Sequence, residues 1–314
     1  MMGTHNKPAH GSLEWLQLRH KDENNRTRFG ASEAPVLMGV SKYRTITDLA
    51  IQKWSTPEIK EQNEAMMRGH ILEPALIEYA SQVLGVPLTT PDEMYSHGRM
   101  IATLDAITGD GETIVEAKTS TWYSCDDQMP LEFYWQAVAQ LACCPSAVEV
   151  IFVILDMRMR LATPQHWVVY RHRAENDIAE LLATADSVGD SLDSHELPAG
   201  AIITEDNVKS LYPSPHGIKE LGSIGITLVT QWQSAKSARD EAEANEQSAR
   251  DALCALLGEA EVGIVDGQQI VSYKARSTGS RWDTKRLEQE HPELAVEYKK
   301  QAGTTRVLKS SLGD

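Results

Sequence analysis

Cysteine is scarce in this chain. Its 314 residues hold four, at Cys125, Cys143, Cys144 and Cys254, and no two stand in a C-x-x-C spacing. That excludes a disulfide framework and a clustered thiolate metal site, argues against an iron–sulfur centre, which needs a separated cysteine quartet, and suits a reducing cytosol. No apolar run approaches about eighteen residues, and neither a signal-peptide pattern nor a membrane anchor is present, so we expect a soluble cytoplasmic protein with no membrane partner. Net positive charge is also lacking: 30 Lys and Arg face 45 Asp and Glu, for a net charge of −15. This does not exclude binding to a polyanion, because such binding depends on where the cations lie. Residues 270–314 reverse the balance with nine basic and six acidic side chains. Two basic groupings are candidates for backbone contact, Arg26, Arg28, Lys42 and Arg44 near one end and Lys274, Arg276, Arg281, Lys285 and Arg286 near the other.

The length fits one large or two small domains. Strand and helix patterns alternate through the first 200 residues: Val150 to Leu155 and Trp167 to Tyr170 read as strands and Ile178 to Leu192 as an amphipathic helix, which predicts an α/β (α+β) mixed sheet flanked by helices. We place a first domain at 1–200 and a linker at 201–225, marked by Tyr212-Pro213-Ser214-Pro215. An extension then covers 226–314: a long helix from Thr227 to Ala260 with sparse apolar bulk, a hairpin around Asp266-Gly267, a helix from Trp282 to Lys300 interrupted at His291-Pro292, and a final strand from Thr304 to Leu308.

The chemistry concentrates between Gly69 and Gln140. Met100, Ala102 and Leu104 alternate with Ile101, Thr103 and Asp105; Thr108-Gly109-Asp110-Gly111 turns the chain; Thr113 to Lys118 runs back around Ile114 and Val115. This reads as a hairpin with Asp105 at the end of its first strand. Glu116 and Lys118, two apart on the second, share a face. An Asp and a Glu from paired strands offer the oxygen donors that Mg²⁺ takes, and the carbonyl of Ala117 adds another. Lys118 beside such an ion would orient a nucleophilic water or neutralise charge developing in the transition state. Glu73 falls in a helical pattern with Leu72, Ala75, Leu76 and Tyr79 and is a candidate third ligand; Pro74 suggests that this helix begins near Glu73. Gln136 and Gln140 share a face of a helix from Phe133 to Cys143, and their amides suit holding Lys118 or a metal-bound water. An E-x-K on a strand is by itself common. The ordered set of helix Glu, strand Asp, strand E-x-K and helix Gln is far more specific.

With these residues the chain resembles the PD-(D/E)XK nucleases, and within them the phage exonucleases of the lambda exonuclease and YqaJ type. The resemblance covers Leu13 to about Leu155. LEWLQLRH followed by FGASEAPVLMGVSKYRT is similar to the family's W-x-x-x-R and G-A-S segments, and NEAMMRGHILEPALIEYA to its glutamate-bearing helix. The resemblance implies Asp105 and Glu116 as principal metal ligands, Glu73 assisting, Lys118 as the catalytic lysine and Gln136 supporting it. It puts Arg19, Ser32 and Thr103 at a 5′-phosphate pocket, and Gln140 is placed with them on the DNA side. Two departures stand out: Leu104 replaces the proline expected before the aspartate, and Thr119 to Ser124 lacks the arginine that some members use on the phosphate.

The resemblance further implies a Mg²⁺-dependent 5′-to-3′ exonuclease, with Mn²⁺ able to substitute, that acts on ends of linear double-stranded DNA and leaves 3′ single-stranded tails. Implied with it are a homo-oligomer such as a trimeric ring, a single-strand-annealing partner protein, and a phage or prophage origin in a bacterial host cytosol. The alternatives are an endonuclease or nickase of the same fold, and a catalytically silent DNA-binding scaffold.

Overall fold

A computed structural model describes residues 2–59, 63–121, 128–158, 164–214, 216–275, 283–298 and 308, apart from the side chains at 285 and 295. The chain divides into two compact units, Met1–Pro213 and Ser214–Asp314, and the division falls inside the expected linker.

The first unit runs β1 (Met2–Asn6), α1 (Leu13–Leu18), β2 (Phe29–Gly30), a 3₁₀ turn (Ala31–Glu33), α2 (Ala34–Leu37), α3 (Ile46–Trp54), α4 (Glu64–Leu84), β3 (Leu88–Thr89), β4 (Glu93–His97), β5 (Met100–Ala102), β6 (Ala106–Thr108), β7 (Thr113–Ser120), α5 (Leu131–Cys143), β8 (Glu149–Asp156), β9 (Gln165–Tyr170), α6 (Arg171–Asp193) and α7 (Glu205–Leu211). One sheet has the order β3-β6-β7-β8-β9 and the other β1-β4-β5-β2. Within the first, β7 and β8 are parallel and β6–β7 and β8–β9 antiparallel. The parallel pair requires a crossover, and α5 supplies it. A mixed sheet flanked by helices is the architecture expected from the sequence.

Alternation along β7 and β8 decides what each face meets. Val115, Ile151 and Val153 pack with Leu76 and Ala80 of α4. Ile114, Val150 and Phe152 pack into the main core with Ala137, Val138 and Leu141 of α5 and with Leu181 and Ala185 of α6. Glu116 and Lys118 follow Ile114 at period two and therefore look toward α5.

The expected hairpin needs correction. Met100 to Asp105 is not its first strand: β5 pairs with β4 and β2 in one sheet, and it is β6 that pairs antiparallel with β7 in the other. Leu104 is buried in the main core and Ala106 in the cluster under α4, so the chain changes sheets between them. Asp105 sits at that transfer. The turn itself forms, with Gly111 at φ 76°.

Two other boundaries also differ. Helix α4 starts at Glu64, not near Glu73, because Asn63 caps it by accepting from the Met66 amide at 2.9 Å; Pro74 lies inside the helix, whose packing through Leu76 and Ala80 offsets the lost amide. Residues 201–211, expected as linker, dock on α3: Thr47 Oγ1 donates to Ile202 O at 2.8 Å, and Asn207 Nδ2 donates to Asp48 Oδ1 at 2.7 Å.

Arg99 and Arg171 tie the helices to the sheets. Arg171 donates to the carbonyls of Leu141, Cys144 and Ala147 and so closes the end of α5. Arg99, 4% exposed, donates to Asp193 at 2.7 Å, to Asp190 and to Thr27 O at 3.1 Å. Burial pushes the Asp193 carboxyl up, but bonds from Thr27 and Arg99 outweigh it and hold the group well below the usual carboxylate range.

The second unit contains α8 (Gly222–Leu257), the hairpin β10 (Val262–Val265) and β11 (Gln268–Ser272), α9 (Thr284–Glu290) and α10 (Pro292–Tyr298). Asp266 and Gly267 take the left-handed φ values of 50° and 78° that a two-residue hairpin requires. The long helix, the hairpin and the break at His291 follow the sequence reading; the final strand at Thr304 to Leu308 lies, but for Leu308, outside the described residues.

Gly189 of α6 lies against Arg99, where a Cβ would meet Cδ at 2.4 Å. Because that arginine is held at several points, Gly189→Ala should cost about 1–3 kcal/mol through overpacking, more than alanine gains in a helix. A lowered urea midpoint is expected; an unchanged one would show that Arg99 can yield.

Candidate active site

A cavity of about 580 Å³ in the first unit gathers most of the residues singled out in the sequence. Glu73, Asp105, Glu116, Ala117, Lys118 and Gln136 line it together with Arg19, Ser32 and Thr103. Another cavity, about 690 Å³ between the α2–α3 segment and α6, holds Arg44 and Glu180 but none of these residues.

Glu116 is 3% exposed on the middle strand of its sheet. Lys118 Nζ and Gln136 Nε2 both donate to its Oε1 at 2.5 Å, and Gln140 Nε2 donates to Oε2 at 2.5 Å. The two glutamines thus hold Glu116 and not Lys118, a correction that follows from the period-two alternation that turns Glu116 into α5. Gln140 also cannot stand on the DNA side: it is fully buried behind Glu116 and does not line the cavity.

Asp105 accepts from the Ala117 amide through Oδ2 at 2.9 Å. A strand residue sends its N–H and C=O to the same side, so the Ala117 carbonyl also faces that side, beyond the end of β6. Burial and the charge of Glu116 push the Asp105 carboxyl up to about 8. For Lys118 burial pulls downward, yet the charges of Glu116, Asp105 and Glu73 win and hold the ammonium above its ordinary range. Around Lys118 the pocket is therefore an excess of negative charge.

Such a donor set matches a hard divalent cation in kind: carboxylate oxygens and a strand carbonyl. A carboxylate offers about four acceptor positions, and the three donors on Glu116 leave it a position to give. Among the described residues, however, no three His, Cys, Asp or Glu side chains converge as a ready ligand group. Glu73 lines the cavity from α4 without completing a triad.

The other end of the cavity is built by α1 and the 3₁₀ turn. Arg19 donates to Ser32 Oγ at 2.8 Å and lies 4.2 Å over the ring of Trp15. Burial lowers the Arg19 pKa. Trp15 Nε1 and Thr103 Oγ1 are buried without a hydrogen-bond partner among the described residues.

With the site assembled, comparison with known proteins finds a match over most of the stretch that builds it. Residues 14–146 match the YqaJ-like viral recombinase domain. The match spans less than half of the chain and contains every site residue named above. No curated protein matches the chain. Among solved structures, the chain is similar to an alkaline exonuclease (LHK-Exo) from Laribacter hongkongensis at 20% identity, covering 59% of this chain and 94% of that one with a TM-score of 0.45. A phage related exonuclease from Haemophilus somnus 129PT is similar at 13% identity, covering 54% and 96%, with a TM-score of 0.44.

Several residues of the cavity were missed in the sequence. Lys7, His10, Asn63 and His70 also line the cavity. His70 precedes Glu73 by three on α4, so helical spacing was a usable signal for it. Nothing local marked Lys7 or His10, which the fold brings in from the N-terminal segment. The basic grouping near the N-terminus does not form as expected: Arg28 is 4% exposed and paired with Glu23, and Arg26 is paired with Asp22. In the other grouping Arg276, Arg281 and the Lys285 side chain lie outside the described residues, as do residues 122–124 of the arginine-free segment and Cys125. Cys143 and Cys144 are buried, and burial pushes the Cys144 thiol up to about 12.

The crowding of Asp105 against Glu116 has a measurable consequence. Asp105 holds its proton more tightly in the folded chain than in the unfolded one, so metal-free stability falls as pH rises from 3.8 toward about 8. Asp105→Asn removes that penalty and should melt above the parent at pH 8 in EDTA. Added Mg²⁺ should narrow the gap by stabilising only the parent; a variant melting below the parent in EDTA would contradict the crowding.

Proposed function

We propose that this chain is a Mg²⁺-dependent exonuclease that degrades one strand of linear double-stranded DNA from a 5′ end, leaving 3′ single-stranded tails for recombination by strand annealing. The observation that carries this reading is the shared cavity. Asp105, Glu116 and Lys118 line it together with the Arg19–Ser32 pair, so phosphodiester chemistry and an anion-binding pocket of terminal-phosphate type meet in one enclosure. A single cavity with both ends furnished suits cleavage near a strand terminus.

Asp105, Glu116 and the Ala117 carbonyl would hold the ion, with Glu73 assisting from α4. A bound Mg²⁺, or Mn²⁺ in its place, supplies Lewis-acid polarisation of the scissile phosphate and lowers the pKa of water. The chain's own groups do the rest. Gln136 and Gln140 keep the Glu116 carboxylate in one orientation, and Lys118 neutralises charge on the phosphate as its bond to the leaving oxygen breaks. Arg19, Ser32, Thr103 and the indole N–H of Trp15 offer donors to a 5′-phosphate, a planar guanidinium being suited to two of its oxygens.

The remaining parts of the reading rest on the family likeness: a homo-oligomer such as a trimeric ring around DNA, a single-strand-annealing partner, and action in the cytosol of a bacterial host. Among the described residues no helix is long and apolar enough to cross a membrane.

End-labelled linear duplex and a covalently closed circle, incubated in Mg²⁺ and in EDTA, test the activity. Metal-dependent mononucleotide release from 5′ ends with the circle intact is expected. A cut circle would assign the site to an endonuclease of this fold, and binding without cleavage to a silent scaffold. Asp105→Ala or Lys118→Ala should lower the rate at least about a hundredfold with the fold retained, and full activity in either would remove these residues from the mechanism.

A further inference from the structure

The Arg19 guanidinium is held both by residues that line the cavity and by residues behind them that do not. It passes so close to Gly30 that a Cβ there would stand 2.1 Å from Nη2, and it ends on Ser32 Oγ. Among the described residues it pairs with no carboxylate, although one is at hand. Glu33 follows Ser32 directly, is 7% exposed, and acts on Arg19 through its charge. Lys53 of α3, 4% exposed, has taken that carboxylate: Nζ donates to Glu33 Oε2 at 2.8 Å and to the Arg19 carbonyl at 3.0 Å. The same Oε2 accepts from the Gly30 amide at 2.8 Å. Lys53 therefore joins the end of α1 to the turn that carries Ser32.

A buried ion pair of this kind is weak support for stability, because desolvating both charges offsets their attraction. Its effect on geometry is more direct. A buried carboxylate left without a cation takes the nearest donor it can reach. With Lys53 gone, the nearest cation to Glu33 is the Arg19 guanidinium, which would then turn from the cavity to the carboxylate. The cluster as built spends one cation on Glu33 and leaves the other for an incoming anion, inside a chain whose net charge is −15.

We propose that Lys53 is a positioning residue: by neutralising Glu33 it keeps Arg19 directed at the terminal phosphate of DNA and so sets the preference for a 5′-phosphate over a 5′-hydroxyl end. This rests on the exonuclease reading and adds to it a residue outside the cavity.

The full chain in EDTA is titrated with a short fluorescent duplex bearing either a 5′-phosphate or a 5′-hydroxyl, and the ratio of the two affinities is the readout. Parent protein should favour the phosphate by about tenfold, the scale of a charge-assisted bidentate contact, and Arg19→Ala should abolish the preference. Lys53→Met should bring the ratio close to one, whereas general damage to the fold weakens both ligands alike and leaves it unmoved. Glu33→Gln combined with Lys53→Met removes the competing carboxylate and should restore the preference. If Lys53→Met does not fold, Lys53→Gln, which keeps a donor for Glu33 but no charge, should lose the preference in its place. A folded Lys53 variant with the parental ratio, or a double variant as indifferent as the single one, overturns the proposal while leaving the phosphate pocket standing. A parent protein indifferent to the phosphate overturns the pocket and the proposal together.

Discussion

A carboxylate buried on a central strand is the constraint around which the first unit is arranged. Glu116 is only 3% exposed in the middle of its sheet, and an unpaired charge buried there would cost several kcal/mol. Three donors meet it, one from its own strand and two from α5. This requires α5 to lie over β7 with Gln136 and Gln140, one turn apart, turned to the strand, and the parallel β7–β8 pair provides the crossover that carries it there. Ala137, Val138 and Leu141, on the same helix, fill the core beside the polar contact. Chemistry and packing use the same helix.

Asp105 adds a second charge by another route. The chain leaves one sheet after Ala102 and joins the other at Ala106, with Leu104 buried on the first side and Ala106 on the second. In the transfer Asp105 comes beside the Ala117 amide and next to Glu116. A buried and a half-buried carboxylate side by side repel, a stability cost that a cation would relieve. The arrangement belongs to proteins that tolerate strain at a site because the site's task needs it.

The far side of the cavity has the opposite character. Arg19 lines it, and behind Arg19, outside the cavity, Lys53 pairs with Glu33, so two cations stand with one carboxylate within a protein that is acidic as a whole. Asp105, Glu116 and Lys118 line the same cavity as Arg19, so carboxylates and a guanidinium meet in one wall of an acidic chain. The division of charge within the cavity matters more than the net value.

Much of the local structure was determined by the sequence alone. Alternation put Glu116 and Lys118 on one face, the Thr108 to Gly111 turn reversed the chain, the i,i+4 glutamines shared a helix face, and Asp266-Gly267 made a hairpin, because each depends on backbone geometry over a few residues. Only tertiary structure decided what these faces meet. The glutamines found Glu116 and not Lys118; α4 ran through Pro74 because its packing outweighed a missing amide; Arg28 was drawn out of the expected basic grouping, buried, and paired with the exposed Glu23. Lys53 and Glu33, twenty residues apart, carry no shared motif, and Arg99 meets Asp190 and Asp193 across more than ninety residues of chain. In each of these pairs the fold has taken at least one partner, Lys53, Glu33 or Arg99, out of water, and that removal has no local signature in the sequence.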